Sequence, residues 1–206
     1  YNPLNFNCVE GSYSTNPLDG KVRISEFKNL VLALHRSNIR VIMDVVFHSV
    51  PSRENSYFEK TFPGYYFIDD TEKFALKRSM VKKYIVDSLI YWAKEYKISG
   101  FCFSDMETYD IDLINDIRAE LDKIDSTILL YGQSGLSSDL SAKKAVRENI
   151  ADISRVAAFN HDCRDGIRGH ILYPGEPGFV NGGVGFEETV KSAIVAGIFH
   201  PDINYE

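Results

Sequence analysis

The sequence predicts an α/β domain built on parallel strands. Three observations predict it: short, β-branched, almost wholly apolar runs, intervening stretches with apolar residues at helical spacing, and steady alternation of the two along the chain. With 206 residues, 44% of them hydrophobic, the chain can bury one main core, and it is read as a single domain over residues 1–206.

The opening "YNPLNFNCVEGSYSTNPLDGKVR" is crowded with Asn, Pro, Gly and Ser and reads as a long surface loop. In "ISEFKNLVLALHRSN" the residues Ile24, Phe27, Leu30, Val31 and Leu34 form one helical stripe. The run "IRVIMDVVF" has the pattern of a strand buried on both faces. Val81, Tyr84, Ile85, Ser88, Leu89, Trp92 and Tyr96 mark a long amphipathic helix, after which Ser99 and Gly100 turn the chain into the strand "FCFS". Asp110 is placed to cap a helix carrying Leu113, Ile117, Leu121 and Ile124, which leads into a third strand, "STILLYG". A polar connection and a short helix near "SAKKAVREN" precede a fourth strand in "ISRVAAFN". A Gly- and Pro-rich loop, a helix over "FEETVKSAIVAGI" and the stub "INY" complete the chain.

Two architectures satisfy this order, an open doubly wound sheet and a (β/α)8 barrel. No G-x-G-x-x-G follows any strand, so a dinucleotide-binding sheet loses its main support. In a barrel, function sits on the loops after the C-terminal strand ends, here "DVVFHSV", "FCFSDME", "LLYGQSG" and "AAFNHDC".

A net charge of -6 gives no footprint for nucleic acid or an anionic membrane, since both need clustered positive charge. No apolar run approaches the ~20 residues of a membrane span, and no charged-then-apolar leader is read at the front. Cys8, Cys102 and Cys163 are too scattered for a disulfide framework or a zinc spacing, so free thiols and a reducing compartment are the expectation.

The four strand ends, in this order, resemble the α-amylase superfamily of glycoside hydrolases, and more closely its type I pullulanases. The resemblance is carried by "EGSYSTNPLDGKVRISEFKNLVLALH", "IRVIMDVVF", "MVKKYIVDSLIYWAKEYKISGF", "DIDLINDIRAELDKID", "ILLYG", "RVAAFNHDCRDGIRG" and "EPGFVNGG", and covers nearly the whole chain. It implies a partial (β/α)8 TIM barrel, about strands three to six plus the start of strand seven. It also implies an α-glucan ligand and no cofactor.

In that family the signature strands typically read D-V-V-Y-N-H, G-F-R-F-D and G-E-G-W. Here they read Asp44-Val45-Val46-Phe47-His48-Ser49, then Gly100-Phe101-Cys102-Phe103-Ser104, then Gly132-Gln133-Ser134-Gly135. The resemblance thus puts the family nucleophile at Ser104, the acid/base glutamate at Gln133, and the arginine that orients the nucleophile at Cys102. The fourth signature, V-x-x-H-D, is expected beyond Glu206, and the loop before "MVKK" reads as shortened.

Retaining glycoside hydrolysis needs two carboxyl groups roughly 5–5.5 Å apart. Glutamine cannot exchange the proton, and serine needs a base, yet the sequence offers no evident histidine positioned by an acid. Asp105 lies one residue beyond Ser104, so strand alternation points it to the opposite face unless a bulge re-aims it, and it reads as a solvated acid. Asp44 is expected to be a buried carboxylate facing the uncharged Cys102, a setting that raises an acid's pKa, unless His48, Arg164 or water partners it. The residues expected at the sugar site are Tyr13, Asp44, Phe47, His48, Cys102 and Asp105. Of the rim aromatics Tyr13, Phe47, Tyr65, Tyr66 and Tyr109, whose rings suit stacking on a sugar, most are expected simply to pack, with Tyr13 and Phe47 the expected sugar contacts. His48, Cys102 and His161 are borderline metal ligands without diagnostic spacing, and no metal site is assigned.

The leading expectation is therefore a pullulanase-type glycosidase domain with impaired catalysis, a fragment or pseudoenzyme that keeps α-glucan binding. One alternative is an active α-1,6-glucosidase using non-family acids. The other is a half-barrel that associates with itself or a complementary chain to cover its open sheet edges.

Overall fold

The computed structural model describes residues 2–133, 145, 147–173 and 175–195. They fall into two compact units, residues 1–158 and 159–206, divided after Ala158. The expected stub "INY" and most of the expected helix "SAKKAVREN" lie outside the described residues.

The first unit is a four-stranded, all-parallel sheet in the order β1-β2-β3-β4, with β1 at Ile42–Val45, β2 at Gly100–Phe103, β3 at Leu129–Gly132 and β4 at Ala157–Ala158. Helix α1 (Gly20–Arg36) precedes β1, α3 (Ser79–Glu95) precedes β2 and α4 (Ile111–Asp122) precedes β3, as the alternating pattern requires. Helix α1 begins earlier than its apolar stripe, because Asp19 caps it by accepting the Lys21 and Val22 N–H groups. Asp110 occupies the N-cap of α4 without a side-chain capping bond.

One face of the sheet is covered. Val45, Phe101, Phe103 and Leu130 alternate onto it and join Ile85, Leu89, Trp92, Ile114, Ile117 and Leu121 in one core. Each fully buried side chain of this size contributes roughly 1.5–3 kcal/mol. The other face carries Ile42, Asp44, Cys102, Leu129 and Tyr131, none of them buried. The expectation that β1 is buried on both faces therefore fails: Asp44 is exposed, and among the described residues its side of the sheet is only partly covered.

Two segments expected as loop carry structure. Phe6 and Val9 are buried, and the Trp92 Nε1–H donates to the Phe6 carbonyl at 3.1 Å, pinning the opening segment to α3. Between β1 and α3 the chain forms the short helix α2 (Tyr57–Thr61) and an aromatic cluster of Phe58, Tyr66 and Phe74. This connection is laced by the Phe74 N–H donating to the His48 carbonyl at 2.9 Å and the Val50 N–H to that of Glu72 at 3.0 Å.

The second unit holds α5 (His161–Arg168), which was expected as loop, and α6 (Glu187–Ile194). Asn160 caps α5 by accepting the Cys163 N–H at 3.0 Å. A Cβ on Gly166 would stand 2.5 Å from Thr189 Cγ2, so only glycine permits this approach of the two helices.

Candidate active site

Parallel sheets present chemistry at the C-terminal ends of their strands. Val45, Phe103 and Gly132 are abreast in the register, and the residues that follow stay in line. The Ser104 N–H donates to the Val45 carbonyl and the Gln133 N–H to the Phe103 carbonyl, each at 3.0 Å. Ser104 and Gln133 thus end neighbouring strands and present a hydroxyl and an amide there. Ser134 and Gly135 lie outside the described residues.

Gly132 fixes this pair of ends. A Cβ there would meet the Phe103 carbonyl oxygen at 2.8 Å and Met106 Cβ at 2.9 Å, while the Met106 N–H donates to the Gln133 carbonyl at 2.7 Å. The backbones after β2 and β3 are in contact, with no room for a side chain between them.

Asp44, Cys102 and Tyr131 form a row across β1, β2 and β3 on the face opposite the core. Burial pushes the Cys102 thiol up to about 11, helped by the charge of Asp44 and by a hydrogen bond to its carboxylate, while a bond with Tyr131 acts the other way. Asp44 thus meets the Cys102 thiol, while Arg164 is engaged by Asp165 at 2.7 Å. At neutral pH Cys102 should carry about 100-fold less thiolate than an ordinary thiol. Iodoacetamide labelling of Cys102 is expected to keep accelerating with pH to about 11. Asp44→Asn should move the profile down, and a plateau by about pH 9 would contradict this account.

Asp105 departs from strand alternation. The chain leaves β2 at Phe103 and Asp105 adopts the left-handed conformation, φ 47° and ψ 51°, which aspartate tolerates better than most residues. Its carboxylate lies 3.3 Å from His48 Nε2, with side-chain exposures of 49% and 17%. The sequence reading found no histidine held by an acid and is corrected on that point, while Asp105 keeps about half of its side chain in solvent. Burial lowers the His48 pKa below the ordinary imidazole value. The charges of Asp105 and Glu107 oppose this and that of Lys73 adds to it, and burial outweighs the nearby carboxylate. His48 Nδ1 is buried without a hydrogen-bond partner among the described residues.

Of the two expected sugar contacts among the aromatics, Phe47 is a core residue, and Tyr109 packs in the core as well. Phe47 is 2% exposed and stacked on Phe6 with ring centroids 5.2 Å apart, because it shares the covered face with Val45. Tyr109 is fully buried, packs edge-on against Phe103 and accepts the Phe47 N–H at 3.1 Å; burial drives its phenol pKa upward. Tyr65 and Tyr66 are half-buried, whereas Tyr13 is 59% exposed.

A pocket of ≈ 440 Å³ opens beside His48 and Asp105, lined also by Lys73, Lys77, Arg78 and Thr108. The sequence reading missed these four. The alternation in "KFALK" is the signal for the lysines: Phe74 and Leu76 turn inward, which sends Lys73 and Lys77 outward together. Among the described residues no group of three His, Cys, Asp or Glu side chains is placed to hold a metal ion. No described helix is long and apolar enough to cross a membrane.

No family model matches the chain. It is 37% identical over 195 residues to a pullulanase of Bacillus subtilis (strain 168), a match covering 88% of this chain and 27% of that protein. Among solved structures, the pullulanase of Paenibacillus barengoltzii in complex with maltohexaose and α-cyclodextrin superposes with a TM-score of 0.90 at 38% identity, covering 96% of this chain and 33% of the other. The pullulanase of Anoxybacillus sp. LM18-11 complexed with maltotetraose gives 0.88 at 39% identity, covering 94% and 30%. The chain therefore spans between a quarter and a third of the length of these relatives.

Proposed function

The chain is a pullulanase-like member of the α-amylase family covering part of its relatives' length, and from that premise we propose a partial catalytic-type barrel that binds α-glucan without hydrolysing it. In this reading residues 1–206 are one domain. The sheet supplies about strands three to six of a (β/α)8 barrel, with the start of strand seven after α6. Tyr13, Asp44, His48, Cys102 and Asp105 face the sugar, and Phe47 is set aside as a core residue.

The observation that carries the reading is the pair Ser104 and Gln133 on adjacent strand ends. The two positions stand where the family's nucleophile and acid/base residue are expected, and neither side chain can attack an anomeric carbon as an anion or deliver a proton to the leaving oxygen. Loss of general acid catalysis alone forfeits about 10²–10⁴ in rate. Asp105, the acid adjoining Ser104, is turned toward His48.

Reducing-sugar release from pullulan by the intact protein is expected to stay at background. Turnover of about 1 s⁻¹ or faster, within the ordinary enzyme range, would overturn the reading and favour an α-1,6-glucosidase working through non-family acids such as Asp105.

A role in self-association or in binding a complementary chain rests on a separate observation. An apolar groove of ≈ 470 Å³ runs beside β1, lined by Phe6, Val9, Phe27, Ile42 and Trp92 among others. Sedimentation velocity across a concentration range separates this role from a monomeric one.

A further inference from the structure

The pocket beside His48 shares His48 and Asp105 with the proposed sugar site, but its other lining residues have no part in the reading above. Buried Phe74 and Leu76, with Ile68, give it an apolar floor, and Lys73, Lys77 and Arg78 give it a cationic rim. Among the described residues Lys73 and Lys77 enter no ion pair. Arg78 donates to the Gly64 carbonyl at 2.7 Å and to that of Tyr65, which anchors its charge at the rim. The one acid in the lining, Asp105, is turned to His48, and Glu107 acts on His48 as a second negative charge.

Three positive charges therefore share one small pocket with a single carboxylate, which leaves the lining net positive even though His48 is held toward its neutral form. Like charges held together repel, and a bound anion relieves that repulsion. Lysine binds phosphate as a point charge, and a phosphate monoester, with its second pKa near 6, is close to a dianion at neutral pH, matching two unpaired ammonium groups. The apolar floor suits the C–H face of a hexose. A volume of ≈ 440 Å³ lies within the roughly 300–1,000 Å³ usual for small-molecule sites.

We propose that this pocket takes a phosphate monoester carried on a glucosyl unit, so that the chain recognises phosphorylated α-glucan. The glucosyl half rests on the function proposed above; the phosphate half rests on the pocket alone.

Calorimetric titration of the intact protein with maltotriose, maltotriose phosphorylated at O6, glucose 6-phosphate and inorganic phosphate tests both halves. Phosphorylated maltotriose is expected to bind about tenfold or more tightly than maltotriose, with the advantage shrinking as salt is raised from about 50 to 200 mM. Lys73 and Lys77 are exposed, so the Lys73→Gln, Lys77→Gln double variant should fold normally and lose the advantage while keeping its maltotriose affinity. Equal affinity for the charged and neutral sugars, or an advantage that survives in the double variant, overturns the proposal. Inorganic phosphate binding as tightly as the phosphorylated sugar overturns its glucosyl half. Retained, lysine-dependent phosphate binding with no maltotriose binding sinks the α-glucan reading and leaves the anion pocket standing.

Discussion

Truncation of Phe47 to alanine is expected to cost about 3–5 kcal/mol of folding stability, whereas Tyr13→Ala should fall within about 0.5 kcal/mol of the parent. The contrast follows from burial. The Phe47 ring is 2% exposed and stacked on Phe6, so truncation opens a cavity, while the Tyr13 ring is 59% exposed and leaves none. A typical domain holds only about 5–15 kcal/mol in total, so Phe47→Ala takes a large share of it. Urea unfolding gives the comparison directly through the midpoint at constant slope. An unchanged midpoint for Phe47→Ala would mean that the ring is exposed, and would return it to the sugar-stacking role expected from sequence. Phe47→Leu, which refills most of the volume, should recover much of the loss and shows that packing is what is measured.

Asp122→Ala is expected to cost about 3 kcal/mol, more than removal of its partner by Arg118→Met. The Arg118 side chain is 4% exposed, donates to the Ile128 carbonyl at 2.6 Å and pairs with Asp122; its Nε has no acceptor. Deleting the carboxylate strands a buried guanidinium with one neutral acceptor. Deleting the guanidinium removes the buried charge altogether and leaves Asp122 paired with Arg155 at 3.1 Å near the surface. Arg155→Gln, which removes that exposed pair and a surface bond to the Ser126 carbonyl, should cost under about 1 kcal/mol. Thermal or urea unfolding of the three variants checks the order, and equal losses for Asp122→Ala and Arg118→Met would contradict the buried-charge account.

The parallel α/β order was legible because its signals are local. The runs around Ile42–Val45, Gly100–Phe103 and Leu129–Gly132 are apolar and bounded by turn residues, and the stripes of α1, α3 and α4 keep helical phase over three or more turns. Helix α5 was not legible: "HDCRDGIR" has almost no apolar stripe, and its one start signal is the cap at Asn160. Phe6 and Val9 sit in a stretch whose composition says loop, and their burial depends on α3, far along the chain. Asp44 was misread because a continuous apolar run tells how a strand is made but not whether both of its faces are covered.

The candidate site divides along the same line. That Ser104 and Gln133 end neighbouring strands follows from element order and register, both readable from the sequence. The pairing of Asp105 with His48 does not, because it depends on one left-handed residue breaking the two-residue alternation just where β2 ends. Phe47 could have been placed correctly, since it is in phase with Val45. The pocket over His48 needed the fold of the whole β1–α3 connection, whose pairing of residues 48–50 with 72–74 carries no short-range signal.

The contact at Gly132 behaves like a mortised joint: any larger residue there would force the two strand tails apart, and the Met106–Gln133 backbone bond ties them together. While that glycine is kept, residues 104 and 133 stay abreast. Exchange of the side chains themselves is the route left open, and a group installed at either place inherits a position already cut for it.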